Sequence, residues 1–239
     1  MLFQSFRSGS SGNLLLLATA ATRLVIEFGI RTKRESLQVL ETIGVGYGPV
    51  TAVLISHLHA DHASPYGLAT LAESGIPVHL PGKARIGAAL PANLAINWYD
   101  RRPFAIGDIT VTPRPVRHAP GVPTYGFIAG SRDDGCERKA GIFTDLSCWD
   151  EALLQELAVC DFIYLECNHD RQLLRENPNF ASRYHLANPN AALLVRTLLQ
   201  RGSRPCAIML GHLSHERNRP ELAQSAVEAE LCAVQEDAR

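Results

Sequence analysis

The run His57-Leu58-His59-Ala60-Asp61-His62 directly follows the apolar stretch Ala52-Val53-Leu54-Ile55. Three imidazoles and a carboxylate so close together are poor core material, because a polar group buried without a partner costs roughly 1–3 kcal/mol. The apolar stretch reads as a buried strand. A chain of this kind must therefore carry four polar groups from a strand end to a place where they are satisfied. Divalent ions would satisfy them: imidazole and carboxylate suit zinc, manganese or iron, and two ions roughly 3.5–4 Å apart can share one hydroxide nucleophile. The alternative is a solvated His-rich turn, which would need neither the preceding strand nor matching groups downstream.

Matching groups are present. His118 follows the strand-like run Ile109 to Val116, Asp145 ends Gly141-Ile142-Phe143-Thr144, and His212 follows Ala207-Ile208-Met209-Leu210. Each is expected at the carboxyl end of a strand, where side chains from different strands meet at one sheet edge. In this order His57, His59, Asp61 and His62, then His118, Asp145 and His212, resemble the successive metal motifs of the metallo-β-lactamase superfamily. The resemblance covers nearly the whole chain. It implies an α/β fold, a four-layer αββα sandwich, with a dinuclear site at one edge of the two sheets. It also implies that His57, His59 and His118 hold one divalent metal ion (zinc, manganese or iron). Asp61, His62 and His212 would hold the second, with Asp145 bridging the two.

At 239 residues, 46% hydrophobic and 20% charged, the chain has an ordinary globular composition. It shows no linker, repeat or low-complexity tract, so residues 1–239 are expected to form a single domain. A net charge of −1 gives no global pull toward nucleic acid or an anionic membrane. A polyanion would be met by local clusters such as Arg31-Lys33-Arg34, Arg101-Arg102, Arg114-Arg117 or Arg171-Arg175, each of which also reads as a solvated face. The early apolar run Leu14 to Ala18 is too short for a membrane span or a signal-peptide core. Six cysteines without a CxxC pair point to reduced thiols and a cytoplasmic protein.

Along the chain, strands are expected at 2–6, 14–18, 24–28, 52–55, 78–80, 96–99, 104–106, 109–116, 124–129, 141–144, 162–165 and 206–210. Ser8 to Asn13 makes the first hairpin turn, and Arg132-Asp133-Asp134-Gly135 a polar hairpin tip. Helices are expected at 33–42, after Ser64-Pro65, at 146–158, through Gln200 with Asn188-Pro189 as its cap, and from about Pro220. Ser64 serves as an N-cap with Pro65 at the first helical position.

Superfamily membership alone does not name a substrate. Glu166 ends the strand after Asp145, and His185 precedes the Asn188 helix. The two resemble the Glu and His that accompany the metal site in ribonuclease Z and related nucleases. A buried carboxylate on an imidazole fixes its tautomer and raises its basicity, and the imidazolium can protonate a leaving alkoxide. Ser8 to Asn13, Glu166-Cys167-Asn168-His169-Asp170, His185 and Gly211-His212-Leu213-Ser214 resemble the bacterial YycJ/WalJ-type subfamily, regarded as 5′-to-3′ exonucleases on double-stranded DNA. That resemblance implies a nucleic acid substrate, DNA in particular, no membrane, and catalytic roles for Asp61, Glu166 and His185. His169 and Asp170 stay open between a substrate contact, support for the site and a plain helix start. Glu27 stands where the superfamily usually has an Asp supporting the metal loop. Rival readings are a glyoxalase-II-like thioesterase or lactonase, a small cyclic or phosphonate phosphodiesterase, and a noncatalytic binding protein.

Overall fold

The computed structural model describes residues 1–84, 89–133 and 135–237. In the first sheet six strands lie side by side in chain order: β1 (Leu2–Arg7), β2 (Leu14–Ala18), β3 (Arg23–Ile26), β4 (Ala52–Leu54), β5 (Val78–Pro81) and β6 (Ile96–Tyr99). The first three pair antiparallel, and β3 to β6 pair parallel. Parallel neighbours need a crossover, and helices α1 (Lys33–Tyr47) and α2 (Pro65–Glu73) supply it. Thr32 caps α1 by accepting from Glu35 N at 3.2 Å, and Ser64 caps α2 with Pro65 in its first turn. Every residue of β2 is buried, as its unbroken apolar run requires.

The second sheet runs in the order β12-β11-β10-β9-β8-β7. Its strands are β7 (Phe104–Ile106), β8 (Ile109–Val116), β9 (Thr124–Asp133), β10 (Cys136–Phe143), β11 (Phe162–Glu166) and β12 (Ala207–Gly211). β7 and β8 form an antiparallel hairpin, whereas β10, β11 and β12 are parallel. The helices after Phe143 are α3 (Glu151–Leu157), α4 (Arg171–Glu176), α5 (Asn188–Gln200) and α6 (Pro220–Asp237). Among the described residues, no helix is long and apolar enough to cross a membrane.

Two compact units share these elements: Met1–Pro115 with Gly121–Tyr125 and Ala129–Arg138, and Val116–Pro120 with Gly126–Ile128 and Lys139–Arg239. The first has a core around Leu14, Val25, Phe28, Val53 and Leu68. The second has one around Phe143, Leu154, Ile163, Leu165 and Leu194.

Two helix starts differ from the sequence expectation. Residues 146–150 are not helical: Asp150 accepts from Leu153 N at 2.8 Å and starts α3 there, while Leu146 N–H is drawn to Glu166 Oε2 at 2.8 Å. Asn188 does not cap α5, because its amide is engaged elsewhere, donating to Asn218 Oδ1 at 2.9 Å and accepting the Cys167 thiol at 3.1 Å. Helix α1 also runs five residues beyond its predicted end, to Tyr47. Asp134, at the predicted polar hairpin tip, lies outside the described residues.

What positions the 57–62 loop is a tight backbone seam. Asn13 N–H donates to Asp61 O at 2.7 Å and Phe28 N–H to His62 O at 2.7 Å, while Phe28 bridges Ala63. Gly29 lies so close beneath this seam that a Cβ there would stand 1.8 Å from Asp61 O and 2.3 Å from its carbonyl carbon. Both are backbone atoms with nowhere to move. Gly29→Ala is therefore expected to destabilise the first unit by about 3 kcal/mol and to lower metal content together with stability. Urea melts and metal analysis of the purified variant check this; wild-type values for both would refute the seam.

Candidate metal centre

In the first unit, Ile55 N–H donates to His79 O, which holds the chain beyond β4 against β5 up to the start of the loop. His57 and His62 are buried, and their rings lie 4.2 Å apart between centroids. His57 Nδ1 lies 2.9 Å from Ser56 Oγ, and His57 Nε2 comes within 3.0 Å of His59 Nδ1. His62 is held from two sides. Its Nδ1 is 3.3 Å from Glu27 Oε1, and its Nε2 is 3.2 Å from Asn13 Nδ2 and 3.5 Å from Asp61 Oδ2. Asp61 is one-fifth exposed at its side chain.

Glu27 organises this cluster. It is fully buried, accepts Ser56 N–H at 3.1 Å, and has a φ of 62°. Left-handed backbone at a non-glycine residue costs on the order of 1–3 kcal/mol and persists only where the surroundings enforce it. Here that geometry aims the longer Glu side chain at both the loop backbone and His62. Burial first, then the charge of Glu27, raises the Tyr99 pKa well above its ordinary value, so its hydroxyl stays protonated and donates to Ile55 O at 2.7 Å.

In the second unit, His118 donates from Nδ1 to Tyr184 O at 3.0 Å, which leaves Nε2 as the bare nitrogen, 3.6 Å from Asp145 Oδ2. Burial, opposed by Asp145, holds this imidazole below its ordinary pKa, in the neutral form a metal ligand needs. Asp145 Oδ1 stands 2.6 Å from His212 Nδ1. Glu166, fully buried, accepts four times: Leu146 N–H at 2.8 Å and Leu186 N–H at 3.1 Å through Oε2, His185 Nδ1 at 2.6 Å and His212 Nδ1 at 2.9 Å through Oε1. Asp145, Glu166, His185 and His212 each offer a ligand atom, all within 4.8 Å of one another. His212 is the second left-handed non-glycine residue, with a φ of 52°, and Asn168 Nδ2 holds its carbonyl at 3.0 Å.

Each cluster crowds buried imidazoles against carboxylates, a donor set that suits borderline divalent ions. Sequence reasoning did not single out Asn13, Ser56, Asn168 or Tyr99 as site residues. Asn13 was visible as the last residue of a Ser/Gly turn and, like Asn168, as part of a motif that resembles the YycJ/WalJ-type subfamily; nothing marks Ser56 or Tyr99. Asp170 proves to be a helix start: it caps α4, accepting Gln172 N and Leu173 N at 2.8 and 2.9 Å. His169 is buried and pairs through its backbone with Ala187, and burial lowers its pKa.

The sequence matches the family described as the beta-lactamase superfamily domain over residues 29–205. The chain belongs to the metallo-β-lactamase superfamily of metal-dependent hydrolases. It is 28% identical to exodeoxyribonuclease WalJ of Streptococcus pneumoniae, across 94% of this chain and 86% of that one. To exodeoxyribonuclease YycJ of Bacillus anthracis it is 24% identical, across 94% and 87%. Among solved structures it resembles the metallo-β-lactamase fold protein YhfI of Bacillus subtilis, with a TM-score of 0.72 at 17% identity over 95% of this chain and 92% of that one. A diphosphatase of the PhnP family follows at 0.65 and 16%, over 92% and 89%. The short form of human tRNase Z stands at 0.59 and 16%, over 89% and 93%. These structural likenesses establish the α/β sandwich of the superfamily, two mixed sheets flanked by helices.

His185 carries a marked electrostatic signature in the second unit. Burial lowers its pKa, but Glu166 and Asp145 outweigh that and raise it to about 10, against 6.5 ordinarily. A raised folded-state value means that its stabilising contribution is complete below 6.5 and is lost as pH rises through about 10. Chelator-treated protein should therefore melt at progressively lower temperature over that window. Glu166→Gln should flatten the decline and cost about 1–3 kcal/mol at neutral pH, because an amide cannot accept all four bonds. Identical melting curves against pH for the two proteins would show that Glu166 does not hold His185.

Proposed function

We propose that this hydrolase is a nuclease that removes nucleotides from DNA ends in the 5′-to-3′ direction, in the cytoplasm, where its six free cysteines would stay reduced. The observation that carries this reading is the 2.6 Å contact of Glu166 with His185, beside Asp145 and His212. A thioesterase or lactonase has no need of such a pair. The relatives named exodeoxyribonucleases, which align over almost the whole chain, point the same way.

In this reading His57, His59 and His118 would hold one divalent ion and Asp61, His62 and His212 a second, with Asp145 serving both. Zinc or manganese would serve, and iron is chemically compatible. Bound ions supply Lewis acidity toward the phosphoryl group and make water nucleophilic near neutral pH. The protein's own groups do the rest. Asp61 orients the attacking water. Because Glu166 takes the Nδ1 proton, His185 presents Nε2 outward and delivers its proton to the departing oxygen. Its side chain is one-fifth exposed, so that nitrogen can reach a substrate.

Nucleotide release from 5′-phosphorylated duplex DNA with added manganese tests the reading. Wild type should degrade the duplex, and Asp61→Ala should stay folded yet lose at least about 100-fold. Equal rates would exclude Asp61 from the chemistry, and an inert metal-loaded wild type would exclude the nuclease. His185→Ala should slow esters with poor leaving groups by about 100-fold and nitrophenyl esters far less, since only the former need a proton. Equal losses on both would remove His185 as the donor.

A further inference from the structure

A cavity of about 430 Å³ lies within the first unit, with His59 in its wall. That volume falls in the range of small-molecule sites, roughly 300–1,000 Å³. Leu58, Leu68, Leu90, Val122 and Pro123 give it apolar surface. Ala63 and Leu68 are themselves buried, at 5% and 3% exposure, and Ala63 is bridged to Phe28, so this wall is preformed and rigid. The described lining residues carry two polar side chains, His59 and the exposed Lys83. Nothing else in the described lining can read the edge of a base.

We propose that this cavity seats the terminal nucleoside of the strand being degraded. The base lies between the aliphatic walls and the Lys83 ammonium holds the adjoining phosphate; the inference rests on the nuclease reading above. A flat, apolar-faced, singly charged ligand matches an apolar slot with one cation, as in enzymes that grip an unstacked base between apolar side chains. Because contact is through the faces of the base, the pocket accepts all four bases alike. Its position at His59 makes the seated nucleotide the one released. With the cavity so occupied, the enzyme would degrade a strand from its end without regard to sequence.

Calorimetric titration of the manganese-loaded full chain tests this without any turnover. Each of the four deoxynucleoside 5′-monophosphates should bind at least about tenfold tighter than 2-deoxyribose 5-phosphate, and within about threefold of one another. Ala89→Trp, at an exposed lining position, should fill the cavity and bring the nucleotides down to the affinity of the sugar phosphate. Val122→Phe should do the same from another lining position. Lys83→Ala should weaken all these phosphates by a similar factor and leave the base increment intact. A nucleotide that binds no better than the sugar phosphate overturns the pocket, even if DNA is degraded normally. A base increment that both filling variants leave untouched overturns it as well. If the increment is present and the variants abolish it, the pocket stands, and inert DNA in the parallel release assay would then count against the nuclease reading alone.

Discussion

Everything at this centre depends on burying carboxylates without leaving them bare. Glu27 and Glu166 are fully buried, one in each unit and each at or just beyond a strand end, and each solves the problem in the same way. Both accept backbone N–H groups from a following loop, Ser56 for Glu27 and Leu146 with Leu186 for Glu166. Both then turn their remaining oxygen to imidazole, His62 in one case and His185 with His212 in the other. A buried carboxylate stripped of such partners would cost several kcal/mol. The loops that carry the histidines are thus fixed by the same bonds that keep the carboxylates soluble in the protein.

Strain marks the same places. Among the described residues, the two left-handed non-glycine ones, Glu27 and His212, both belong to these networks. Each conformation is unfavourable alone, and each is enforced by hydrogen bonds at its own backbone: Glu27 N to Leu54 O at 2.9 Å, and Asn168 Nδ2 to His212 O at 3.0 Å. The result is side chains aimed where an ordinary extended residue would not point. Donors preorganised in this way need little rearrangement when an ion arrives.

Much of this was legible beforehand because alternation and apolar runs report burial directly. The strands at Ile96–Tyr99, Phe104–Ile106 and Ile109–Val116 fall where the hydrophobic pattern puts them. Two of the misses share a cause, a distant polar group that competes at the helix start. Asn188 has the composition of a helix cap, but Asn218 and Cys167 claim its amide, and the amphipathic stretch from Leu146 is pulled straight by Glu166. Local patterns cannot register a competitor 20 or 30 residues away.

The donors themselves were written in the sequence. His57, His59, Asp61, His62, His118, Asp145 and His212 lie at or just beyond strand ends, as a run of apolar residues followed by a polar turn dictates. What only the tertiary structure decided is who orients them. That Asn13 and Glu27 hold His62, that Tyr184 O sets the tautomer of His118, and that one oxygen of Glu166 serves both His185 and His212 follow from contacts over 19 to 66 residues of chain. Ligand identity is a property of residue type and strand position. Orientation is set by hydrogen bonds and close polar contacts within each unit, between residues far apart in the chain.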